Sequence, residues 1–224
     1  MKITYIYHSC YVVEFEDKVL IFDYYKNKLP NIAPNKKIYF FVSHSHYDHF
    51  NESIFDLYTD HDVKFIVSSD CFVPMRDNVY TMLIDDYIEV DGMKIKTLRS
   101  TDLGVAYLVY VNEKCIYHAG DLNCWTFEEN KIEDNEFMEY IYSKEMDKLK
   151  DESIDVAFVP LDSRLKSNAL LGIQLLLEKN QPKYLFPMHM WNDFSIVDIA
   201  SKKLQYKGFI NVICNNFVYV IEDN

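Results

Sequence analysis

Three histidines and one aspartate, His44, His46, Asp48 and His49, fall within six residues, directly after an apolar run that ends at Val42. Imidazole nitrogens and carboxylate oxygens are the donors that bind divalent cations. Crowded together at the end of a strand, they read as a ligand set rather than as core filler. Residues two apart in an extended segment point the same way, so His44 and His46 can share one cation. Asp48 and His49 enter the next turn and can face a second. The chemistry such a pair supports is hydrolysis. A water held between two cations loses its proton near neutral pH and attacks a carbonyl carbon or a phosphorus, while the cations hold the oxygen that becomes negative.

Those donors need strands to position them. The first 42 residues read as a β-meander with strands over 3–7, 11–15, 19–22 and 38–42, separated by a turn at 16–18 and a loop at 27–37. Asn51 reads as the N-cap of a short helix carrying Ile54, Phe55, Leu57 and Tyr58, and a strand follows over 63–67. From 79 to 119 the pattern is again β, with turns at Asp91-Gly92 and Asn112-Glu113. Residues 127–153 hold ten acids against four bases, a net of −6, and place Phe137, Ile141, Met146 and Leu149 on one stripe of an expected amphipathic surface helix. The remainder alternates: strand 156–161, helix 167–179, strand 184–187, helix 196–204, then strands at 209–214 and 217–221, which is α/β order. With no repeat and no linker-like segment, residues 1–224 read as a single domain.

The composition, 49% apolar and 26% charged, is that of an ordinary globular protein. With 23 basic and 35 acidic residues the net charge is −12, which disfavours nucleic acid as a partner and leaves a small molecule as the expected substrate. Glu14, Glu16, Asp17 and Lys18 interrupt the apolar N-terminus, so neither a signal peptide nor a membrane span is expected. The five cysteines are odd in number and include no C-x-x-C pair, which fits a reducing cytoplasm better than a disulfide framework or a cysteine-based zinc site.

The histidine-rich segment resembles the H-x-H-x-D-H signature of the metallo-β-lactamase superfamily, and further motifs similar to that family's follow in order. Ile3-Thr4-Tyr5-Ile6-Tyr7-His8-Ser9 with Leu20-Ile21-Phe22-Asp23 resembles its N-terminal hairpins, although Tyr7 stands where many relatives have glycine. Tyr117-His118-Ala119-Gly120-Asp121 resembles its strand-end G-D motif, and Phe186-Pro187-Met188-His189 its late P-x-H motif. The resemblance implies a four-layer α/β/β/α sandwich with metals at one end of two sheets. It also implies that Asp121 bridges two cations and that His189 completes the second site.

One departure stands out. The family's third histidine for the first metal is missing: Leu98-Arg99-Ser100-Thr101-Asp102-Leu103-Gly104 offers only Asp102 as a strong ligand. If Asp102 substitutes, the pair of cations has four imidazoles (His44, His46, His49, His189) and three carboxylates (Asp48, Asp102, Asp121). Such a set admits Mn²⁺ or Fe²⁺ besides the expected Zn²⁺. If Asp102 only makes a hydrogen bond behind the ligands, the first site is weak or empty.

Other side chains carry paired readings. His118 either donates a proton to a leaving group or is a strand-end histidine bonded to backbone. His8 is expected near the metals in a supporting role, and His61 on solvated surface. Trp125 and Trp191, close in sequence to Asp121 and His189, either wall a substrate cleft or pack beneath a loop. Arg164 either clamps a carboxylate or phosphate or pairs with Asp162.

The resulting expectation is a metal-dependent hydrolase in which a metal-bound hydroxide, oriented by Asp48 and with His118 assisting, attacks an ester, lactone or phosphoester of a small molecule. Among family branches, the resemblance is greatest to the small bacterial lactonase-like hydrolases. The alternatives are an iron-dependent oxidoreductase of the same fold, against which His46 argues because two-iron members typically carry glutamate there, and a non-catalytic metal- or ligand-binding relative.

Overall fold

Beyond Lys37, every residue of the strand Lys37–Val42 is buried: Tyr39 and Phe41 join one apolar cluster, Ile38, Phe40 and Val42 another. Side chains alternate across a strand, so a strand apolar on both faces must be covered on both. The computed structural model, which describes residues 1–222, shows how. A first sheet runs in the order β13 (Val218–Val220), β1 (Lys2–Tyr7), β2 (Cys10–Glu14), β3 (Lys18–Phe22), β4 (Lys37–Val42), β5 (Val63–Ser68), β6 (Val79–Met82). A second runs β12 (Tyr184–Met188), β11 (Val156–Pro160), β10 (Lys114–His118), β9 (Val105–Val111), β8 (Met93–Arg99), β7 (Tyr87–Val90).

Each sheet has an antiparallel part and a parallel part. The expected meander holds only as far as β3: β4 pairs parallel to β3, with Ile21 opposite Phe40, because the long 23–36 connection crosses over instead of turning back. In the second sheet β7 to β10 form antiparallel hairpins, while β10, β11 and β12 are parallel. Their crossovers carry α1 (Ile132–Asp147) and α2 (Leu171–Lys179).

Between the sheets Tyr11 stacks on Phe158 with centroids 4.2 Å apart, and Phe41 meets Tyr107 edge-on at 5.4 Å. The buried hydroxyls of these tyrosines cross the sandwich too: Tyr11 donates to the Pro187 carbonyl (2.6 Å) and Tyr107 to that of Val42 (2.8 Å). The architecture is the expected four-layer α/β/β/α class. One outer layer is α1 and α2, joined where the Tyr142 hydroxyl donates to the Gly172 carbonyl (2.9 Å). The other is a 3₁₀ turn over Glu52–Asp56, capped by Asn51, with the 23–36 loop, whose Ile54 and Ile32 cover the first sheet.

Three expectations change in detail. The packed stripe of α1 is Met138, Tyr142 and Met146, continuing to Leu149; Phe137 lies one position off it and is 62% exposed. The helix expected over 167–179 begins only at Leu171, as α2; before it runs a 3₁₀ stretch over Ser163–Asn168 that is kinked in its interior at Lys166, φ 54°. The strand expected at 209–214 reduces to one bridge between Leu185 and Phe209. After β12, α3 (Ser195–Leu204) enters the core through Ile196, Val197 and Ala200.

Candidate metal centre

Parallel alignment brings the C-terminal ends of β1, β3, β4, β8, β10, β11 and β12 to one rim. His8, Asp23, His44, Asp102, Asp121, Asp162 and His189 each lie within three residues past one of those ends. His8, Asp23 and His189 take left-handed backbone conformations (φ 55°, 46° and 66°). Such conformations cost non-glycine residues of order 1–3 kcal/mol and persist where surrounding structure over-determines them.

The tautomers of three imidazoles follow from their partners. The Ser43 amide and hydroxyl both donate to Asp23 (2.8 and 2.7 Å), so the contact of Ser43 Oγ with His44 Nδ1 (2.9 Å) requires His44 Nδ1–H to donate. His49 Nδ1–H donates to Asp23 (2.7 Å) and His189 Nδ1–H to Asp162 (2.8 Å), since an ionised carboxylate only accepts. Each ring therefore presents a bare Nε2, and all three approach Asp121: His44 at 3.5 Å, His49 at 3.2 Å and His189 at 3.4 Å. Lone pairs facing a carboxylate at such distances repel unless a proton or a cation lies between them. His49 Nε2 and Asp121 Oδ1 are buried without a hydrogen-bond partner, as are both nitrogens of His8. These residues fit a cation, and supporting acids behind ligating histidines are the usual arrangement.

The charge states of His44, His8, Asp48 and Asp121 agree with that fit, whereas His49 and Asp102 are shifted towards protonated forms whose protons a cation must displace. Burial lowers His44 and His8 to about 4, leaving neutral imidazoles able to ligate. Burial opposes ionisation of Asp48 and Asp121, but His8 beside the former and the His49 and His189 rings beside the latter outweigh it; Asp48 falls to about 2 and Asp121 well below the usual range. Burial likewise opposes a charge on His49, yet the Asp121 and Asp23 carboxylates on either side of the ring raise it. Asp102 is raised, by burial and then by the charge of Asp121.

Two donor groups result, each with one atom per residue within 4.8 Å of the others: His44, His46, Asp102 and Asp121, and His8, Asp48, His49 and His189. His46 Nδ1 is 3.0 Å from His44 Nε2 and 3.6 Å from Asp102 Oδ2. A cavity of about 640 Å³ opens over both groups, with Trp125, Arg164 and Trp191 in its wall. Trp125 donates to the Asp121 carbonyl (2.8 Å). Arg164 sits at this wall with its Nε and Nη2 already on Asp162, and its guanidinium carbon lies 5.4 Å from the Trp191 ring.

His118 corrects the sequence reading. It is fully buried, stacked on Phe22 at 4.9 Å, with Nε2–H donating to the Ser9 carbonyl (3.0 Å) and Nδ1 accepting from the Gly120 amide (3.2 Å). No nitrogen is left for a leaving group, and the ring lies outside the cavity wall. His61 is also less solvated than expected, its side chain being 5% exposed beside Asp60. Asp23, Ser43 and Asp162 were not singled out from sequence as orienting groups. Their one local signal is an acid directly ending an apolar strand, Phe22-Asp23 and Leu161-Asp162.

Gly120 lets the Asp121 turn close on the His44 segment. It has φ 52°, and a Cβ there would lie 2.6 Å from Ser43 Cβ and 2.7 Å from Ser43 Oγ. Gly120→Ala is expected to cost about 2–4 kcal/mol by adding left-handed strain to overpacking, measured as a lower denaturation midpoint.

Residues 2–137 match the model of the beta-lactamase superfamily domain, and the chain belongs to the metallo-β-lactamase superfamily. A UPF0173 metal-dependent hydrolase of Nanoarchaeum equitans is 26% identical over 96% of this chain and 97% of its own length. One from Desulforamulus reducens is also 26% identical, covering 84% of each chain. Among solved structures, Igni18, described as a metallo hydrolase from Ignicoccus hospitalis, aligns over 99% of both chains with TM-score 0.67 at 18% identity, a likeness of fold.

Proposed function

We propose that this chain, a metal-dependent hydrolase, opens an ester, lactone or phosphoester of a small molecule using two divalent cations at the strand rim, zinc first, with manganese or iron as alternatives. The observation that carries the reading is the three bare Nε2 atoms converging on Asp121, with His49 Nε2 and Asp121 Oδ1 buried and unpartnered. The relatives named as metal-dependent hydrolases support the same class. His44, His46, Asp102 and Asp121 would hold one cation; Asp48, His49 and His189, with Asp121 between, the other. Bound there, the cations supply Lewis acidity that makes a water nucleophilic near neutral pH and stabilises charge on the attacked oxygen.

The chain's own groups orient and move protons. Asp48, ionised and in the cavity wall, orients the attacking water and accepts its proton. With His118 engaged by backbone, Asp48 also returns that proton to the leaving group. Asp23 and Asp162 hold the His49 and His189 rings in place. Trp125, Phe127 and Met138 offer an apolar wall to the substrate, and Arg164 faces the same space.

Elemental analysis of protein purified without added metal, beside an ester and phosphodiester panel, tests this reading. Two zinc or manganese ions per chain with turnover is the expected result. Iron with oxygen consumption would move the chain to the oxidoreductases, and no metal would make it a non-catalytic relative. Trp191→Ala is expected to leave the metal content intact and raise KM severalfold or change substrate preference, because Trp191 lines the cavity without belonging to either donor group. Loss of metal in that variant would remove its assignment to substrate.

No helix among the described residues is long and apolar enough to cross a membrane. Placement in the cytoplasm draws its support from the five unpaired cysteines. A small molecule as partner draws its support from the net charge of −12, which disfavours a polyanion.

A further inference from the structure

His8 belongs to the second donor group, although the motifs that relate the chain to its superfamily assign it no ligand role. We propose that His8 is a protein ligand of the second cation alongside Asp48, His49 and His189, which makes the two cation positions chemically unequal; the inference rests on the metal-dependent reading above.

The His8 ring is 1% exposed, yet neither nitrogen has a hydrogen-bond partner. Buried imidazole nitrogens are normally satisfied, and packing alone would be served as well by phenylalanine. Nε2 lies 3.3 Å from Asp48 Oδ2, and the ring centroid is 4.1 Å from that of His189 and 5.4 Å from that of His49. Donors around a tetrahedral cation with bonds of about 2.0–2.1 Å stand roughly 3.4 Å apart, and the four atoms here lie within 4.8 Å of one another.

The backbone holds this arrangement. The His189 amide donates to the His8 carbonyl (2.9 Å), tying the end of β1 to the end of β12 across the two sheets, with both residues in left-handed conformation. Trp191 packs against the His8 ring at 4.2 Å. The second position then has three imidazoles and Asp48, the first two imidazoles and Asp102, with Asp121 between. By donor type the second favours zinc and the first tolerates a harder cation such as manganese.

The test uses the full chain, stripped with chelator, labelled with ¹⁵N-histidine and titrated with Zn²⁺ while imidazole ¹⁵N resonances and binding heats are followed. At two equivalents, five imidazoles (His8, His44, His46, His49 and His189) are expected to take metal-bound shifts. His8→Ala and His8→Gln should each leave four and weaken one of the two binding steps by at least about tenfold. Four metal-shifted imidazoles in the unmodified chain would overturn the proposal while leaving the hydrolase reading intact. Full restoration of affinity by Gln, which can still donate to Asp48, would likewise reduce His8 to a positioning residue and overturn it. A chain that takes up no cation at all would overturn both.

Discussion

Asp121→Ala is expected to remove both cations and all measurable turnover together. Its carboxylate is the one group that three bare imidazole nitrogens face, at 3.2 to 3.5 Å, and its two oxygens divide between them: Oδ1 meets His49 and His189, Oδ2 meets His44. Without it the first group keeps only Asp102 and the second only Asp48, and the charge that faces His44, His49 and His189 together is gone. Losing a group behind a ligand already costs 10–100-fold in affinity or activity, so loss of a shared donor should exceed about a hundredfold. Elemental analysis of the purified variant reads the outcome directly. Asp121→Asn, which keeps the volume but not the charge, should behave alike; two cations retained in either variant would show that Asp121 is not shared. His46→Ala, by contrast, removes a half-exposed donor from the first group only.

Asp102→Ala is expected to lower the count from two cations to one, held by the second group of His8, Asp48, His49 and His189, and to abolish most turnover. The carboxylate stands where the superfamily's missing histidine is expected, with Oδ2 3.6 Å from His46 Nδ1. Its loop is anchored on both sides of the residue. Thr101 Oγ1 donates to the Asn123 carbonyl (2.6 Å), the Asp102 amide donates to Ser100 Oγ (3.1 Å), and Gly104 at φ 67° lies against the Ser43 carbonyl, where a Cβ would come within 2.1 Å of that oxygen and 2.6 Å of His44 Cβ. A carboxylate is shorter than an imidazole, so ligation by Asp102 would depend on these anchors holding its loop close to His44 and His46. Asp102→His should therefore keep two cations and shift preference towards zinc, because imidazole is the softer donor. An unchanged count of two in Asp102→Ala would show that the residue is not a ligand.

The donors were legible in the sequence where chemistry is local. His44 and His46 are two apart in an extended segment, Asp48 and His49 follow in one turn, and their separation into two groups in the structure matches that spacing. The strand ends carrying Asp121 and His189 were legible from apolar runs followed by a turn or by a histidine. Legibility failed where a side chain's direction depends on what the neighbouring strand does. His118 and Asp121 are three residues apart in one motif, yet His118, the last residue of β10, lies buried against Phe22, while the turn through Gly120 carries Asp121 out to the rim.

By itself, then, the sequence determined which donor types are present, their order along the chain, the alternation that makes sheets covered on both faces, and the absence of a histidine from residues 98–104. Only the tertiary structure decided that β4 runs parallel to β3, that Asp23 and Asp162 hold Nδ1 of His49 and His189, and that His8 stands beside Asp48 with bare nitrogens. The physical reason is register. A slip of one residue sends every side chain of a strand to the opposite face, and the register of these strands is set by long-range pairing between segments far apart in the chain, such as Ile116 with Val156 and Val156 with Tyr184. Spacing within a segment specifies what a loop can bind. Which loops meet at one rim, and which of their nitrogens are left bare, is settled when the two sheets close on each other.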